Sequence, residues 1–334
     1  MRPLFPRARV TSRFVSPRLR LYAIVAACAV AAVGLTVGVT LATRTVTPKP
    51  PPARKGAPPL VLDIGVLADA EALALRRAAN LYDAGKAHEA GVIFGRYHSV
   101  EAQIGAALTV WPDGFNAISR LAATFPRRSL VQLHYGLGLY WRGDEAGALA
   151  AWRVARSAQP DTSYALRAED LLHPKFPRGL PNFVPSFPAP PALGRLSSPK
   201  QLAYLVRGAQ AGGVPEKLLY GVALQRLGHQ VSALREFQAA AALAPRDPEP
   251  QVAVAVARFD KADPSRAFSR LGPLSRRYPK NQSVRFHLGL CLLWLGSVDE
   301  AKRQFRLARA AGPRTTLGTE AQKFLQQLQG VGTG

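Results

Sequence analysis

Apolar and polar positions between residues 65 and 330 follow the period of amphipathic helices, and the helices recur in pairs. A small residue is followed twelve residues later by Ala, then by a large apolar residue, a second apolar or small residue, and Pro. This order fills four 34-residue units, at 129–162, 214–247, 248–281 and 282–315. It predicts two antiparallel helices per unit, the second of which ends at the Pro.

The marker residues of the first of these units explain the spacing. Gly136 is expected to face Ala148, so that the two helix backbones approach closely, and the Trp152 ring is expected to fill the space beside them. Gly between the two helices is expected to close the first helix. The markers of the other three units are Gly221, Ala233, Phe237, Ala240, Pro245; Ala255, Ala267, Leu271, Leu274, Pro279; and Gly289, Ala301, Phe305, Ala308, Pro313.

The same frame locates the irregular parts of the array. A unit at 71–104 has Ala102 where Pro is expected, and the unit at 105–128 is shortened. Unit 163–213 has 51 residues, 17 more than the period, and the excess falls in the Pro-rich segment 173–199. We expect this insertion to separate the two helices of its unit, and its phenylalanines either cover the array or present a recognition loop.

These units resemble the tetratricopeptide repeat (TPR) family. The resemblance implies an all-α solenoid in residues 63–330, with about seven helix pairs and a polar-backed capping helix at 319–329. It also implies a concave groove, lined by the second, fifth, ninth, twelfth and thirteenth residues of each repeat. Here these positions supply an apolar lining: Leu133, Leu137, Tyr140, Trp141, Val256, Phe259, Phe286, Leu290, Leu293 and Trp294, with Asp260 beside them.

An apolar groove suits a partner helix or an extended hydrophobic peptide. The Lys and Asn pattern with which some TPR relatives bind a C-terminal carboxylate is absent, so chaperone-tail binding is not expected. The alternative interpretation is that several of these apolar residues pack between repeats.

The charge of the chain adds a second candidate surface, on the outer face of the second helices. The chain has 44 Lys+Arg and 21 Asp+Glu, a net charge of +23. A basic stripe on these helices is suited to anionic lipid or wall polymers, and a solvated helix face is the simpler alternative. The stripe consists of Arg153, Arg156, Arg235, Arg270, Lys302, Arg303, Arg306 and Arg309.

The N-terminal residues predict a membrane anchor. Residues 1–20 form a basic tail with six Arg, and residues 21–42 carry no charge. Twenty-two helical residues span roughly 33 Å, enough for the hydrocarbon core of a bilayer. The excess of cations before this helix places the N-terminus in the cytoplasm and the repeats outside it. Residues 43–62 are rich in Pro and predict an extended spacer.

Three alternatives concern the same apolar segment. A signal peptidase cleaves it after Ala42, or Cys28 is lipidated, or the helix is retained. Gly34 and Gly38 form a G-x-x-x-G pair, a pattern that allows a retained helix to pack closely in a homodimer; the alternative is that these small residues only reflect the usual composition of membrane helices.

No catalytic constellation is present in the sequence. The six His are scattered without metal-ligand spacing, and His134 and His287, both at the sixth position of their repeats, are expected to be partly buried helix residues. We therefore expect no cofactor and no enzyme activity, but a prokaryotic membrane-anchored scaffold for protein contacts at the cell envelope. The alternatives are an accessory subunit of an envelope enzyme pathway, in cytochrome maturation or wall synthesis, and a cytoplasm-facing basic domain that binds nucleic acid.

Overall fold

The structure, a computed structural model, describes residues 54–67 and 69–329. Its secondary structure in these ranges is entirely helical, which confirms the predicted all-α class. The helices are α1 (Ala70–Asp83), α2 (Ala87–Phe94), α3 (Val100–Thr109), α4 (Phe115–Thr124), α5 (Ser129–Trp141), α6 (Glu145–Ala158), α7 (Ser163–Leu172), a 3-10 helix (Pro191–Arg195), α8 (Ser198–Ala211), α9 (Val214–Arg226), α10 (Gln230–Leu243), α11 (Pro248–Ala257), α12 (Ser265–Arg277), α13 (Gln282–Trp294), α14 (Val298–Ala311) and α15 (Thr316–Gln327).

The predicted membrane anchor lies outside the described residues. This applies to the basic tail, to the helix at 21–42, and to Cys28, Gly34 and Gly38 within that helix. None of the helices in 54–67 and 69–329 has both the length and the hydropathy needed to cross a bilayer.

Successive helices pack as pairs along the array. The pairs are α1–α2, α3–α4, α5–α6, α9–α10, α11–α12 and α13–α14, and α15 packs against α14 and α13. The two helices that flank the insertion do not form a pair of this kind. Instead, α7 packs against α6 and α5, whereas α8 packs against α9. The insertion therefore divides the array into an N-terminal half (α1–α7) and a C-terminal half (α8–α15).

Glycines allow the close approach of paired helices. A Cβ on Gly136 would meet the Trp152 indole, and a Cβ on Gly221 would overlap the ring of Phe237. The Trp152 indole N–H donates to the carbonyl of Leu133 at 3.3 Å, so the ring has one preferred position in this gap. Between paired helices, Gly143, Gly228 and Gly296 have φ of 88°, 80° and 77°, a left-handed conformation that glycine adopts without strain.

The start of the array departs from the 34-residue frame. Helix α3 begins at Val100, five residues before the shortened unit was expected to start. The Ser99 side chain accepts from the Ala102 N–H at 3.3 Å and caps the helix. Ala102 stands where the frame expects a helix-ending Pro, but it lies inside α3 and is fully buried.

Substitution of Gly221 by Ala should show how tightly the helix pairs are packed. The new methyl group would displace the Phe237 ring, and we expect a loss of about 1–3 kcal/mol in the free energy of unfolding. Gly208→Ala is the matched control, because a Cβ there meets only Glu216 at ordinary contact distance, 3.4 Å. Since Ala favours a helix over Gly by up to about 1 kcal/mol, this control should be neutral or stabilising. Urea unfolding followed by circular dichroism measures both, and equal effects would contradict the packing argument.

Candidate functional site

The first helices of the pairs form one face of the array, which we call the inner face. Two extended segments of the chain lie on it. The N-terminal strap, residues 54–64, contacts α1, α5 and α7. The internal strap, residues 180–188, contacts α9, α11 and α13. Each half of the array thus holds one segment of its own chain.

The N-terminal strap is bound through its backbone. The Val61 N–H donates to Nε2 of His134 at 3.0 Å, and the Asp63 N–H donates to the Tyr164 hydroxyl at 3.0 Å. The Tyr164 hydroxyl in turn lies 3.1 Å from the Asp63 carbonyl, to which it donates. Leu60 is buried among the core residues of this half. The strap therefore combines an apolar anchor with side-chain-to-backbone hydrogen bonds.

The beginning of this strap is held as well. The Arg54 N–H donates to the Trp141 carbonyl at 2.8 Å, and the Arg54 guanidinium lies 3.6 Å from the centre of the Tyr140 ring. The Tyr82 hydroxyl donates to the Pro58 carbonyl at 2.7 Å, and burial raises the pKa of Tyr82 to about 12. The sequence assigned these residues to a free spacer, but from residue 54 onward the chain is bound to the array.

The internal strap is bound in the same way. Three first helices each supply one acceptor to a strap N–H: Gln225 of α9 to Phe183 (3.0 Å), His287 of α13 to Val184 (2.9 Å) and Glu249 of α11 to Ser186 (2.6 Å). The Ser186 hydroxyl donates to the second carboxylate oxygen of Glu249. One extended segment thus binds a side-chain acceptor from each of three successive first helices.

Phe183 is the apolar anchor of the internal strap. Its side chain is 1% exposed, and its ring stacks on the imidazole of His287 with centroids 5.0 Å apart. The ring of Phe237 meets it edge-on at 5.5 Å. Because Phe237 is the packing residue of the α9–α10 pair, the strap is continuous with the core of this half. Phe176 and Phe187 are partly buried against the same core, so the insertion covers the array.

His134 and His287 perform equivalent tasks in the two halves. Both are fully buried, so the prediction of partly buried residues is wrong in degree. Nδ1 of His134 lies 2.8 Å from the Leu130 carbonyl, and Nδ1 of His287 lies 2.7 Å from the Ser283 carbonyl. A carbonyl only accepts, so Nδ1 carries the proton and Nε2 is free to accept the strap N–H. Burial lowers the pKa of both imidazoles to about 4.

Two other repeat positions bind the straps in both halves. Tyr164 and Glu249 occupy the second position of their units, and each accepts the N–H two residues beyond the one bound by the histidine. Tyr82 and Gln225 occupy the twelfth position and also bind strap backbone. These are positions that the resemblance assigned to the groove. The sequence did not reveal that the chain itself occupies it.

The predicted apolar lining is mostly enclosed. Six of the ten residues are buried in the core of their half: Leu133, Leu137, Val256, Phe259, Phe286 and Leu290. The other four are partly exposed: Tyr140, Trp141, Leu293 and Trp294. The apolar side chains of the straps pack into the same clusters, which removes this lining from water. The six buried residues therefore contribute to packing within the array, as the alternative interpretation of the sequence expects.

A cluster of ion pairs joins the two halves beside the insertion. Nζ of Lys261, whose side chain is fully buried, lies 2.6 Å from Oδ1 of Asp170 on α7. The same ammonium donates to the Pro177 carbonyl at 2.7 Å, and the Gly179 N–H donates to Asp170 at 2.9 Å. The carboxylate and the ammonium thus fix the start of the insertion between the halves.

Arg156 belongs to this cluster and not to an open stripe. Its guanidinium pairs with Glu169 and, at 3.2 Å, with Asp260. Burial raises the pKa of Glu169, an effect that Arg156 opposes. Of the other residues of the predicted stripe, Lys302 is partly exposed, and the rest are exposed: Arg153, Arg235, Arg270, Arg303, Arg306 and Arg309. Arg303 pairs with Glu300 on its own helix at 2.6 Å.

The chain matches no protein-family model and no curated protein. The solved structures similar to it include yeast Tom70, at 12% identity over 82% of this chain and 52% of that one, with a TM-score of 0.34. The chain thus spans about half the length of Tom70. The TPR2AB-domain:pHSP90 complex of yeast Sti1 is 11% identical over 77% of this chain and 96% of that one, with a TM-score of 0.28. The TPR domain of P58(IPK) is 14% identical over 78% and 80%, with a TM-score of 0.26.

The helix pairs themselves define the class of protein. The first helices α9, α11 and α13 begin 34 residues apart. In the units at 129–162, 214–247 and 282–315, a Gly on the first helix faces an aromatic ring on the second, and another Gly closes the turn between the two helices. This is the helix-turn-helix arrangement of tetratricopeptide repeats.

Proposed function

We propose that this protein is a non-catalytic, single-pass membrane scaffold that binds a protein partner on the inner face of its repeats. The N-terminus lies in the cytoplasm and the repeat array outside it, at a prokaryotic cell envelope. The fold alone names no function, because repeats of this kind serve many assemblies. The proposal is therefore carried by the chemistry of the inner face.

The supporting observation is that this face binds extended polypeptide. Gln225, Glu249 and His287 accept backbone N–H groups of one segment at 2.6–3.0 Å, and an apolar pocket holds its aromatic side chain. Backbone hydrogen bonds with a side-chain pocket are a general means of peptide recognition. A surface that binds its own chain in this way has the groups required to bind another.

The anchor supports the scaffold role by raising local concentration. The uncharged segment 21–42 follows six Arg, as expected of a membrane helix with a cytoplasmic N-terminus. A partner confined to the same membrane meets a tethered array at a higher effective concentration than in free solution. Proteolysis of intact cells tests the orientation: an external array is digested by added protease, and a protected array would favour the cytoplasmic alternative.

Photocrosslinking in cells tests partner binding. Arg226 and Arg235 belong to the same helix pair, and both are exposed. Arg226 stands at a groove position and borders a cavity on the inner face, whereas Arg235 lies on the second helix. A photoreactive amino acid at Arg226 is expected to give discrete crosslinked products that the same group at Arg235 does not give. Equal products at both positions, or none at Arg226, would contradict binding on the inner face.

A further inference from the structure

We infer that residues 180–188 are an internal competitor that occupies the inner face of the C-terminal half until a partner displaces it. The partner then presents an uncharged, extended segment of the same chemistry, with a phenylalanine anchor between prolines. This inference rests on the proposed function and specifies its partner class and its regulation.

Apart from the Phe183 anchor, the binding of the internal strap depends little on its sequence. Its hydrogen bonds to Gln225, His287 and Glu249 are made by backbone N–H groups, with one added contact from the Ser186 hydroxyl. Prolines at 181, 185 and 188 have no N–H that would be left unsatisfied, and they favour an extended chain. The segment carries no charge. A segment of another protein with Phe and suitably spaced N–H groups would satisfy the same acceptors.

The N-terminal half supports this independence from sequence. There, Leu60 replaces Phe183 as the buried residue, and the following residue, Val61, donates its N–H to His134. The N–H two residues further on is bound in both straps, by Tyr164 and by Glu249. The same pattern of acceptors therefore binds two segments whose sequences differ, PPLVLDI and LPNFVPSFP.

The chain that follows the strap is lightly packed. The 3-10 helix at Pro191–Arg195 buries no residue, and α8 buries only Ala209. Before the strap, in contrast, the buried Lys261 ammonium and Asp170 hold residues 177–179 through hydrogen bonds to the Pro177 carbonyl and from the Gly179 N–H. The internal strap is thus fixed at one end and followed by a connection whose movement exposes little core. This is the arrangement expected of a segment that detaches and returns.

The inner face has room that the strap does not fill. Pro185 and Phe187 border a cavity of about 540 Å³, which Leu205, Leu219 and Val222 line from α8 and α9. An internal segment competes at a high effective concentration, so a partner needs contacts that the strap lacks. A partner segment that continues into this cavity gains such contacts.

A labelled peptide tests the inference on full-length protein purified in detergent. The probe is fluorescein-labelled LPNFVPSFP, measured by fluorescence anisotropy. Phe183→Ala removes the internal anchor and leaves the acceptors intact, so this variant is expected to bind the probe at least tenfold more tightly than wild type. Phe176→Ala, in the same insertion but outside the strap, is the matched control and should bind like wild type. A probe in which Ala replaces the Phe that corresponds to Phe183 should bind the Phe183→Ala variant at least tenfold more weakly than the unchanged probe does.

A second variant guards against misfolding. Val184→Pro removes the N–H that His287 accepts and keeps the Phe183 side chain, and circular dichroism checks that both variants remain helical. Failure of the probe to bind either folded variant would overturn the inference, as would equal binding to wild type. The formation of dimers that exchange their internal straps would also overturn the inference, because a second copy of this chain would then occupy the inner face. Crosslinking at Arg226 is unaffected by these outcomes, so failure here is distinguishable from failure of the proposed function.

Discussion

Replacing Asp170 by Ala is expected to destabilise the protein by about 3–5 kcal/mol, because it leaves the buried ammonium of Lys261 without its counter-charge. The Lys261 side chain is fully buried, and after the substitution only the Pro177 carbonyl remains to accept from it. Urea unfolding at pH 7 measures the loss. The effect should also reach the insertion, because the Gly179 N–H loses its acceptor.

The origin of this effect can be separated from loss of packing. Lys261→Met removes the buried charge. Asp170 then still accepts the Gly179 N–H at 2.9 Å and still pairs with Arg167 at 3.7 Å, so the loss in the free energy of unfolding should be smaller than for Asp170→Ala. The double variant should be more stable than Asp170→Ala alone. Glu320→Ala, which removes an exposed pair with Lys323 on α15, should cost less than about 1 kcal/mol. Additive losses in the double variant would contradict the buried-charge argument.

Acidification from pH 6.5 to pH 4 is expected to weaken the fold and loosen both straps. His134 and His287 have a folded-state pKa of about 4, below the ordinary value of 6.5. The unfolded chain therefore binds protons in this window and the folded chain does not, so stability falls as the pH falls. Each histidine contributes up to about 1.4 kcal/mol per pH unit. Protonation also turns Nε2 into a donor that opposes the strap N–H of Val61 or Val184.

The contribution of the two histidines is measured by difference. A variant with His134→Gln and His287→Gln has no proton to take up at these sites, and each amide oxygen is able to accept the strap N–H. Its free energy of unfolding should depend less steeply on pH than that of wild type between pH 6.5 and 4. Glu169, whose raised pKa acts in the opposite direction, is present in both proteins and cancels. His88→Gln, at an exposed position, should keep the wild-type slope, and an unchanged slope in the double variant would contradict the assignment.

The helix pairs could be predicted from the sequence because the pattern that specifies them is local. Gly136 and Trp152 meet within one 34-residue unit, and a glycine closes the turn between their helices. The shift of α3 to Val100 was missed because the frame expected a Pro near residue 102, whereas Ser99 starts a new helix there. The start of α3 is therefore set by the Ser99 cap and not by the 34-residue period.

The straps could not be predicted because nothing local marks them. Val61 and His134 are 73 residues apart, and Val184 and His287 are 103 apart. Bonds to backbone N–H groups place almost no demand on the strap sequence, so apolar residues between prolines resemble any spacer. The only sequence signal was that His134 and His287 share the sixth position of their repeats. This shared position indicates that they bind the straps only once Val61 and Val184 are known to be their partners. Lys261 is similar: a single loop lysine whose partner lies 91 residues away.

The N-terminal strap determines where mechanical load enters the array. A pull on the chain before Arg54 acts first on the Arg54 bond to the Trp141 carbonyl and on the ion pair with Glu145, on α5 and α6. Tension is then passed to His134 and Tyr164 through Val61 and Asp63. The force therefore enters at α5 and α6, in the middle of the N-terminal half, and reaches the first helix, α1, only afterwards, through the Tyr82 bond to the Pro58 carbonyl. The hydrogen bonds that hold residues 54–63 all lie in the N-terminal half, so a pull at this point does not act directly on the bonds of the internal strap to α9, α11 and α13.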